Sequence, residues 1–325
     1  MKKRVLKMMM VITMTAATLA GCGASGATTT STETATKATE AAAEETAEAA
    51  YDDLISDIAY IDDGDSNHTL DIYGSQGKTE ATKTVIEVHG GGFIGGNKTT
   101  NTDHSIVFAD AGYVVVTPDY SKVPKDGSFT DVVKELFSIY SWVEEHAEEY
   151  NIDTDNIFLS GDSAGGYYVL LSMAIMHDTG LQEYFDVTLP GYAFSGYVTT
   201  CPAADIYSMR DDLGAEGPAG YTANTIGEEI LLDDDLMGQM DLFNSVDPSV
   251  FEGLYMMTTP TDDTTDAMVQ KFEAYLNDNG IEHEYHSYDG TENELGHVFN
   301  ISHTDWAESI EANQDEIKYM ENLLK

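Results

Sequence analysis

Positive charge is scarce in this chain of 325 residues, where 15 lysines and arginines are set against 58 aspartates and glutamates for a formal net charge of −43. A surface of this sign repels nucleic-acid phosphates and anionic lipid headgroups. The composition therefore argues against both as ligands and leaves only a mild preference for neutral or cationic substrates. Because 42% of the residues are hydrophobic, the chain can still bury a large core.

Cysteine is also rare, and Cys22 and Cys201 allow one disulfide at most. Cys22 has a different predicted use, because a basic segment (1–7), an apolar run (8–19) and the box Leu-Ala-Gly-Cys precede or include it. The apolar run is shorter than the roughly 20 residues of a membrane-spanning helix. This start resembles a bacterial lipoprotein signal peptide, which implies lipid attachment to Cys22 and anchoring at the extracellular face of the cell membrane. Cys201 is then predicted to be an unpaired, buried small residue.

Aromatic and branched aliphatic residues are missing between Gly23 and Ala50. Such a segment cannot bury enough apolar surface to fold as a core. We therefore predict a signal peptide at residues 1–21, a flexible Ala/Thr/Glu-rich tether at 22–50 and one folded domain at 51–325.

The predicted domain alternates apolar strands with helices. We expect strands at residues 57–61, 68–73, 84–89, 113–117, 156–159, 192–200, 255–259 and 282–288, and helices at 102–111, 129–150, 167–176, 268–279 and 304–324. This order favours an α/β fold with a mostly parallel central sheet flanked by helices. Residues 206–250 are acidic and irregular, and we predict that they form a small cap or lid insertion.

Ser163 lies where a predicted strand changes to a predicted helix, with Gly161 and Gly165 two residues to either side. This is the G-x-S-x-G pattern of a nucleophile elbow, in which a tight turn tolerates only small neighbours. Five residues are a weak signal alone, and a glycine-rich turn that happens to hold a serine is the alternative. The flanking strand and helix favour the nucleophile.

The glycine run that begins after His89 follows the third predicted strand. Backbone N–H groups of such an HGGG-type loop can bind the oxyanion of an acyl-transfer reaction, and we predict Gly91, Gly92 and Ala164 as the donors. The same residues also spell G-x-G-x-x-G, a dinucleotide-binding fingerprint. No helix is predicted to open inside these glycines, which disfavours that alternative.

Acyl transfer by a serine also needs a base and an acid that orients it. Carboxylates crowd the end of the strand at 255–259, and we predict Asp263 as the orienting acid with Asp262 in reserve. The base should follow the acid in the chain. His297, in a loop after the last strand, is the predicted base, and His303 is the second candidate.

These motifs, together with Leu70-Asp71-Ile72-Tyr73 and Gly296-His297, resemble the α/β-hydrolase superfamily, in its carboxylesterase and lipase-like branch. The branch includes hormone-sensitive lipase and bacterial acetyl and feruloyl esterases. The resemblance implies Ser163 as nucleophile, His297 as general base and then acid, Asp263 as orienting acid, and no metal or cofactor. Pro260 and the doubled aspartate depart from the family pattern and leave the acid open. Glu87, in the third strand, has no partner that the sequence identifies.

The resemblance implies a serine hydrolase of short-chain acyl, acetyl or feruloyl esters, acting on a small-molecule or polysaccharide-linked ester. A prolyl-oligopeptidase-like serine peptidase and a non-catalytic sugar-binding lipoprotein on the same fold are the alternatives. The glycine loop and Ala164 argue against the peptidase, and the presence of every triad residue type argues against the binding protein.

Overall fold

A computed structural model of the chain describes residues 51–325, at the centre of which lies a sheet of eight strands. The strands are β1 (Leu54–Ala59), β2 (Thr69–Tyr73), β3 (Thr82–Val88), β4 (Val114–Pro118), β5 (Ile152–Asp162), β6 (Gly196–Thr200), β7 (Tyr255–Thr258) and β8 (Glu284–Ser287). The predicted signal peptide, tether and lipid attachment at Cys22 lie outside the described residues.

The sheet has the strand order β1-β2-β4-β3-β5-β6-β7-β8. The first two strands are antiparallel to their neighbours, and every later pair is parallel. The prediction of a mostly parallel sheet is therefore confirmed. Because parallel strands end at the same edge, the loops after β3, β5, β7 and β8 meet there, and these loops carry the predicted site residues.

Helices cover the sheet, with apolar residues packed on both of its faces. They are α1 (Thr102–Asp110), α2 (Phe129–Glu145), α3 (Ser163–His177), α4 (Thr179–Phe185), α5 (Gly217–Ile226), α6 (Glu228–Leu231), α7 (Asp234–Gln239), α8 (Asp266–Asp278), α9 (Phe299–Ser302) and α10 (Ala307–Asn322). Short 3₁₀ helices occur at Ser66–His68, Ile206–Asp212 and Pro248–Phe251. Within the described part of the chain, no helix has the length and apolar character that a membrane crossing requires.

Helix α2 shows how local sequence sets an element. The Ser128 hydroxyl caps its first turn by accepting a hydrogen bond from the Asp131 N–H, and the Asp131 carboxylate in turn accepts one from the Ser128 N–H. Such a capping box contributes about 1 kcal/mol. Apolar residues that include Val132, Leu136 and Val143 then bury one face. The helix ends at Glu145, before the predicted end at Tyr150, and the chain continues in turns.

The segment 206–250, which we predict to form a small cap or lid insertion, contains short helices. It holds the 3₁₀ helix Ile206–Asp212, helices α5, α6 and α7, and the start of the 3₁₀ helix Pro248–Phe251. Aspartates cap the first turns of these helices. The side chains of Asp205, Asp233 and Asp247 each accept a hydrogen bond from a first-turn N–H. The segment packs on α3, where the Tyr167 hydroxyl donates to the Met240 carbonyl at 2.7 Å.

Helix α3 passes so close to β3 that position 165, in its first turn, has no room for a side chain. A Cβ added to Gly165 would lie 2.0 Å from the Val88 carbonyl oxygen and 2.5 Å from that of His89. We therefore expect Gly165→Ala to destabilise the protein by at least about 1–3 kcal/mol, because backbone must move to admit the methyl group.

The matched control is Gly238→Ala in α7, where an added Cβ meets nothing within 4 Å. Alanine is the better helix former by about 0.5–1 kcal/mol, so this variant should be as stable as the parent or more so. Urea unfolding followed by circular dichroism measures both. Equal stability of the two variants would contradict the close approach of α3 to β3.

Candidate active site

Ser163 lies at the sharp turn between β5 and α3. Its φ of +51° is uncommon for a residue with a side chain, and it marks local backbone strain. The turn closes tightly, because a Cβ on Gly161 would lie 2.8 Å from the Gly165 backbone. Ser163 is partly exposed, whereas Asp162 and Ala164 on either side are buried. This is the geometry that the G-x-S-x-G pattern predicts.

His297 lies between Ser163 and an aspartate. Its Nε2 is 2.8 Å from the Ser163 Oγ, and its Nδ1 is 2.8 Å from the Asp262 Oδ2. Because the carboxylate can only accept, the Nδ1 proton faces Asp262 and leaves Nε2 free to accept the serine proton. The second candidate, His303, instead stacks on Trp306 with ring centroids 3.9 Å apart.

The acid beside His297 is Asp262, which corrects the predicted choice of Asp263. After β7 the chain turns, and the Asp262 N–H donates to the Thr259 carbonyl. This turn directs the buried Asp262 side chain toward His297 and leaves Asp263 exposed. The Asp262 Oδ1 also accepts the backbone N–H groups of Thr264 and Thr265, at 2.8 and 3.2 Å.

Electrostatics favour the ionised form of Asp262. Burial alone would raise the pKa of its carboxyl group, but the hydrogen bond and charge of His297, together with the Thr264 N–H, outweigh burial and lower the pKa to about 2. A carboxylate that stays ionised can hold the imidazole in one tautomer and stabilise its protonated form.

The glycine loop lies against Ser163. The Gly90 N–H donates to the Asp162 Oδ1 at 2.8 Å, and a Cβ on Gly90 would lie 3.0 Å from the Ser163 Cβ. Gly91 and Gly92 have φ of +126° and +61°, which only glycine adopts readily. Ala164 is in the first turn of α3, where N–H groups have no acceptor within the helix.

The side chain of His89 supports this loop. Its ring stacks on Tyr120 with centroids 4.3 Å apart, and its Nδ1 lies 2.6 Å from the Gly90 carbonyl oxygen. Burial and the charge of Lys122 lower the pKa of His89 to about 3. The imidazole is therefore neutral, and Nδ1–H donates to Gly90. The dinucleotide alternative finds no support, since α1 begins only at Thr102, well beyond the glycines.

Four aromatic residues next to the motifs belong to the core. Phe93, Tyr167, Tyr168 and Phe299 are all at most 2% exposed. Phe93 packs edge-on against both tyrosines at centroid distances of 5.7 and 5.5 Å. Phe93, Tyr167 and Tyr168 belong to one core cluster, and Phe299 belongs to the other.

Glu87 has partners that the sequence analysis missed. Its Oε1 lies 2.7 Å from the His104 Nδ1 and 3.3 Å from the Asn101 Nδ2, and the Ser105 hydroxyl donates to its Oε2 at 2.6 Å. These three residues lie at the start of α1 with the three- and four-residue spacing of one helix face. A polar stripe on the buried side of α1 is the signal that identifies them.

One group in the described residues has metal-ligand types close together. Ligand atoms of Cys201, Asp262 and His297 lie within 4.8 Å of one another. Burial raises the pKa of the Cys201 thiol, which opposes the thiolate that a metal requires. Both ring nitrogens of His297 already have partners in Ser163 and Asp262. The geometry therefore suits proton transfer better than metal binding.

The chain is similar in sequence to a known family and to known proteins. The BD-FAE family matches residues 70–253. An acetyl esterase of Salmonella typhi is 32% identical over 171 residues, which cover 46% of this chain and 51% of the relative. The chain thus spans about half the length of the curated relatives it matches.

Solved structures with the same fold cover nearly all of the described residues. Esterase B from Lactobacillus Rhamnosis (HN001) superposes with a TM-score of 0.74 at 24% identity, over 84% of this chain and 87% of that one. A truncated carbohydrate esterase from gut microbiota has a TM-score of 0.65 at 17% identity, over 84% and 98%. With the family match, these show that the chain belongs to the BD-FAE family and has the α/β-hydrolase fold.

Proposed function

We propose that the protein hydrolyses carboxylic esters through an acyl-enzyme on Ser163. The observation that carries the proposal is the continuous hydrogen-bonded chain from Asp262 through His297 to Ser163, with 2.8 Å at each step. This is the order of acid, base and nucleophile that acyl transfer requires.

In the first step, the Ser163 oxygen attacks the ester carbonyl carbon while His297 Nε2 takes the serine proton. The carbonyl π electrons move to oxygen, and the oxyanion accepts hydrogen bonds from N–H groups of Gly91, Gly92 and Ala164. When the oxyanion collapses, the carbon–oxygen bond to the alcohol breaks and the leaving oxygen takes the proton from Nε2. In the second step, water attacks the acyl carbon while His297 Nε2 takes its proton. The bond to the Ser163 oxygen then breaks, the serine oxygen takes the proton back from Nε2, and the carboxylic acid is released.

The proposed substrates are short-chain acyl esters, with acetyl esters first and feruloyl esters as the aromatic alternative. The support is the name acetyl esterase of the Salmonella relatives. We further propose that lipid attachment at Cys22 holds the protein at the extracellular face of the bacterial membrane, where a small-molecule or polysaccharide-linked ester would reach it. The acidic composition agrees with a neutral substrate of this kind.

The test is a panel of p-nitrophenyl acetate, butyrate and octanoate, methyl ferulate, acetyl-xylan and a prolyl-p-nitroanilide dipeptide. We expect the highest kcat/KM on acetate or butyrate and labelling of Ser163 by a fluorophosphonate probe. Faster cleavage of the anilide than of every ester would indicate a peptidase. Absence of both labelling and ester cleavage would indicate a binding protein.

A further inference from the structure

A line of buried polar side chains runs from the elbow into the protein. It begins at Asp162, passes through Asn101 and Glu87, and continues through His104 to Glu316. The successive contacts are Asn101 Nδ2 to Asp162 Oδ1 at 2.8 Å, Asn101 Nδ2 to Glu87 Oε1 at 3.3 Å, Glu87 Oε1 to His104 Nδ1 at 2.7 Å, and His104 Nε2 to Glu316 Oε2 at 3.2 Å. The five residues are at most 4% exposed.

Asp162 joins the two parts of the candidate site. It immediately precedes Ser163, and its Oδ1 accepts the Gly90 N–H at 2.8 Å. Its other oxygen lies against the loop, since a Cβ on Gly90 would be only 2.3 Å from Oδ2. The position of the Asp162 carboxylate therefore sets the distance between the glycine loop and the nucleophile.

Asn101 presents its amide nitrogen to two carboxylates at once. Its Oδ1 is buried and has no hydrogen-bond partner among the described residues. An orphaned buried acceptor is costly. The side chain keeps this orientation because its NH₂ group is the donor that both Asp162 and Glu87 require.

Glu87 and His104 prevent Asn101 from turning away. The Ser105 hydroxyl binds one oxygen of Glu87, and His104 binds the other. Burial disfavours a charged imidazole, but Glu87 and Glu316 on its two sides outweigh burial and raise the pKa of His104 to about 10. Glu87 is thus fixed by a cationic ring, and it offers Asn101 a constant acceptor.

We propose that Asn101 is a positioning residue, which donates to the Asp162 carboxylate and so holds the glycine loop at the correct distance from Ser163. The proposal rests on the proposed function and concerns the same site. Asn101 touches no reacting atom and acts through Asp162 alone.

The ionisation of Asp162 provides a readout. Burial raises the pKa of Asp162 to about 6, and the charge of Glu87 adds to this rise. The hydrogen bonds from Asn101 and Gly90 and the charge of His297 oppose it. Tyr120 and Cys201 also face the group, and burial raises the pKa of each. Because the folded pKa is raised, the carboxylate that binds Gly90 is present above pH about 6 and is lost as the pH falls through that value.

The experiment compares Asn101→Ala with the parent on p-nitrophenyl acetate. We expect kcat at pH 7 to fall about tenfold with KM within about twofold, because loop position affects the oxyanion more than the ground state. We expect the acid limb of the kcat profile to move upward by about one pH unit, because the lost donor favoured the ionised carboxylate.

Two controls separate positioning from general packing. Asn313 is also 2% exposed and bonds to Asn300, not to Asp162, so Asn313→Ala should lower stability and leave the acid limb unmoved. In an Asp162→Asn background, which cannot titrate, Asn101→Ala should no longer move the acid limb. Three results would overturn the proposal. Asn313→Ala could move the acid limb as far as Asn101→Ala does, or Asn101→Ala could still move it in the Asp162→Asn background. Asn101→Ala could also leave the pH profile of kcat identical to that of the parent.

A further measurement does not depend on esterase activity. The carboxyl carbon of Asp162 can be titrated by ¹³C NMR, with its signal assigned from the Asp162→Asn variant. We expect Asn101→Ala to raise this titration midpoint. If the parent cleaves no ester, the proposed function fails while the titration still tests the hydrogen bond, and an unchanged midpoint would refute the role of Asn101.

Discussion

Replacing Ser163 with alanine is expected to lower kcat for p-nitrophenyl acetate by four to six orders of magnitude, roughly the loss seen when a serine hydrolase is left without its nucleophile. The His297 Nε2, 2.8 Å from the serine oxygen, then has no proton to accept. Residual activity would come from a water molecule near the glycine loop. The substitution removes only one oxygen from a partly exposed position, so the fold should persist.

Ser172→Ala is the matched control for this variant. Ser172 lies on the same helix, and its hydroxyl bonds to the Tyr140 hydroxyl at 2.9 Å. Its loss should reduce stability by about 1 kcal/mol and leave kcat nearly unchanged. Comparable activity of Ser163→Ala and the parent, measured by burst-phase and steady-state kinetics, would remove Ser163 from the mechanism.

Asp262→Asn is expected to lower kcat by about four orders of magnitude, while Asp263→Asn leaves it within about twofold. The amide of an asparagine at position 262 can donate to His297 Nδ1, which favours the tautomer that carries its proton on Nε2. A protonated Nε2 cannot accept the proton of Ser163. Asp263 is exposed and contributes no hydrogen bond to the imidazole. The two substitutions change the same charge at adjacent positions, so long-range electrostatics cancel in the comparison.

The pH profile gives a second check on Asp262. The pKa of Asp262 in the folded protein is lowered to about 2. The ionised carboxylate therefore supports His297 at every pH above the ordinary pKa range of an aspartate, and this support is lost only as the pH falls toward 2. Activity lost near pH 5 or 6 must therefore come from another group. If Asp263→Asn proved the more damaging change, the side chain that faces His297 in solution would be Asp263.

The sequence predicts a site residue wherever a motif determines the local backbone conformation. The strand, tight turn and helix around Ser163 follow from Gly161 and Gly165, and chain order with loop position led to His297. The choice between Asp262 and Asp263 could not be made this way, because adjacent residues in a turn point in different directions. A hydrogen bond from Asp262 to the Thr259 carbonyl decides it, and no local pattern encodes that bond.

Two other features also depend on tertiary structure. Glycines and aspartates interrupt segment 206–250, yet N-capping aspartates and burial of Leu231 and Met237 stabilise its short helices. Glu87 has its partners on α1, fourteen to eighteen residues away in sequence. Only the packing of α1 against β3 shows that they meet.

The buried cluster of Glu87, His104 and Glu316 also limits how this protein can change during evolution or engineering. Each ring nitrogen of His104 faces a carboxylate, so losing the imidazole alone leaves two acids together inside the core. Such an uncompensated charge costs about 3–5 kcal/mol, whereas coordinated replacement by apolar residues of similar volume is often neutral. These positions should therefore vary together, and a library that randomises them one at a time would find few folded members.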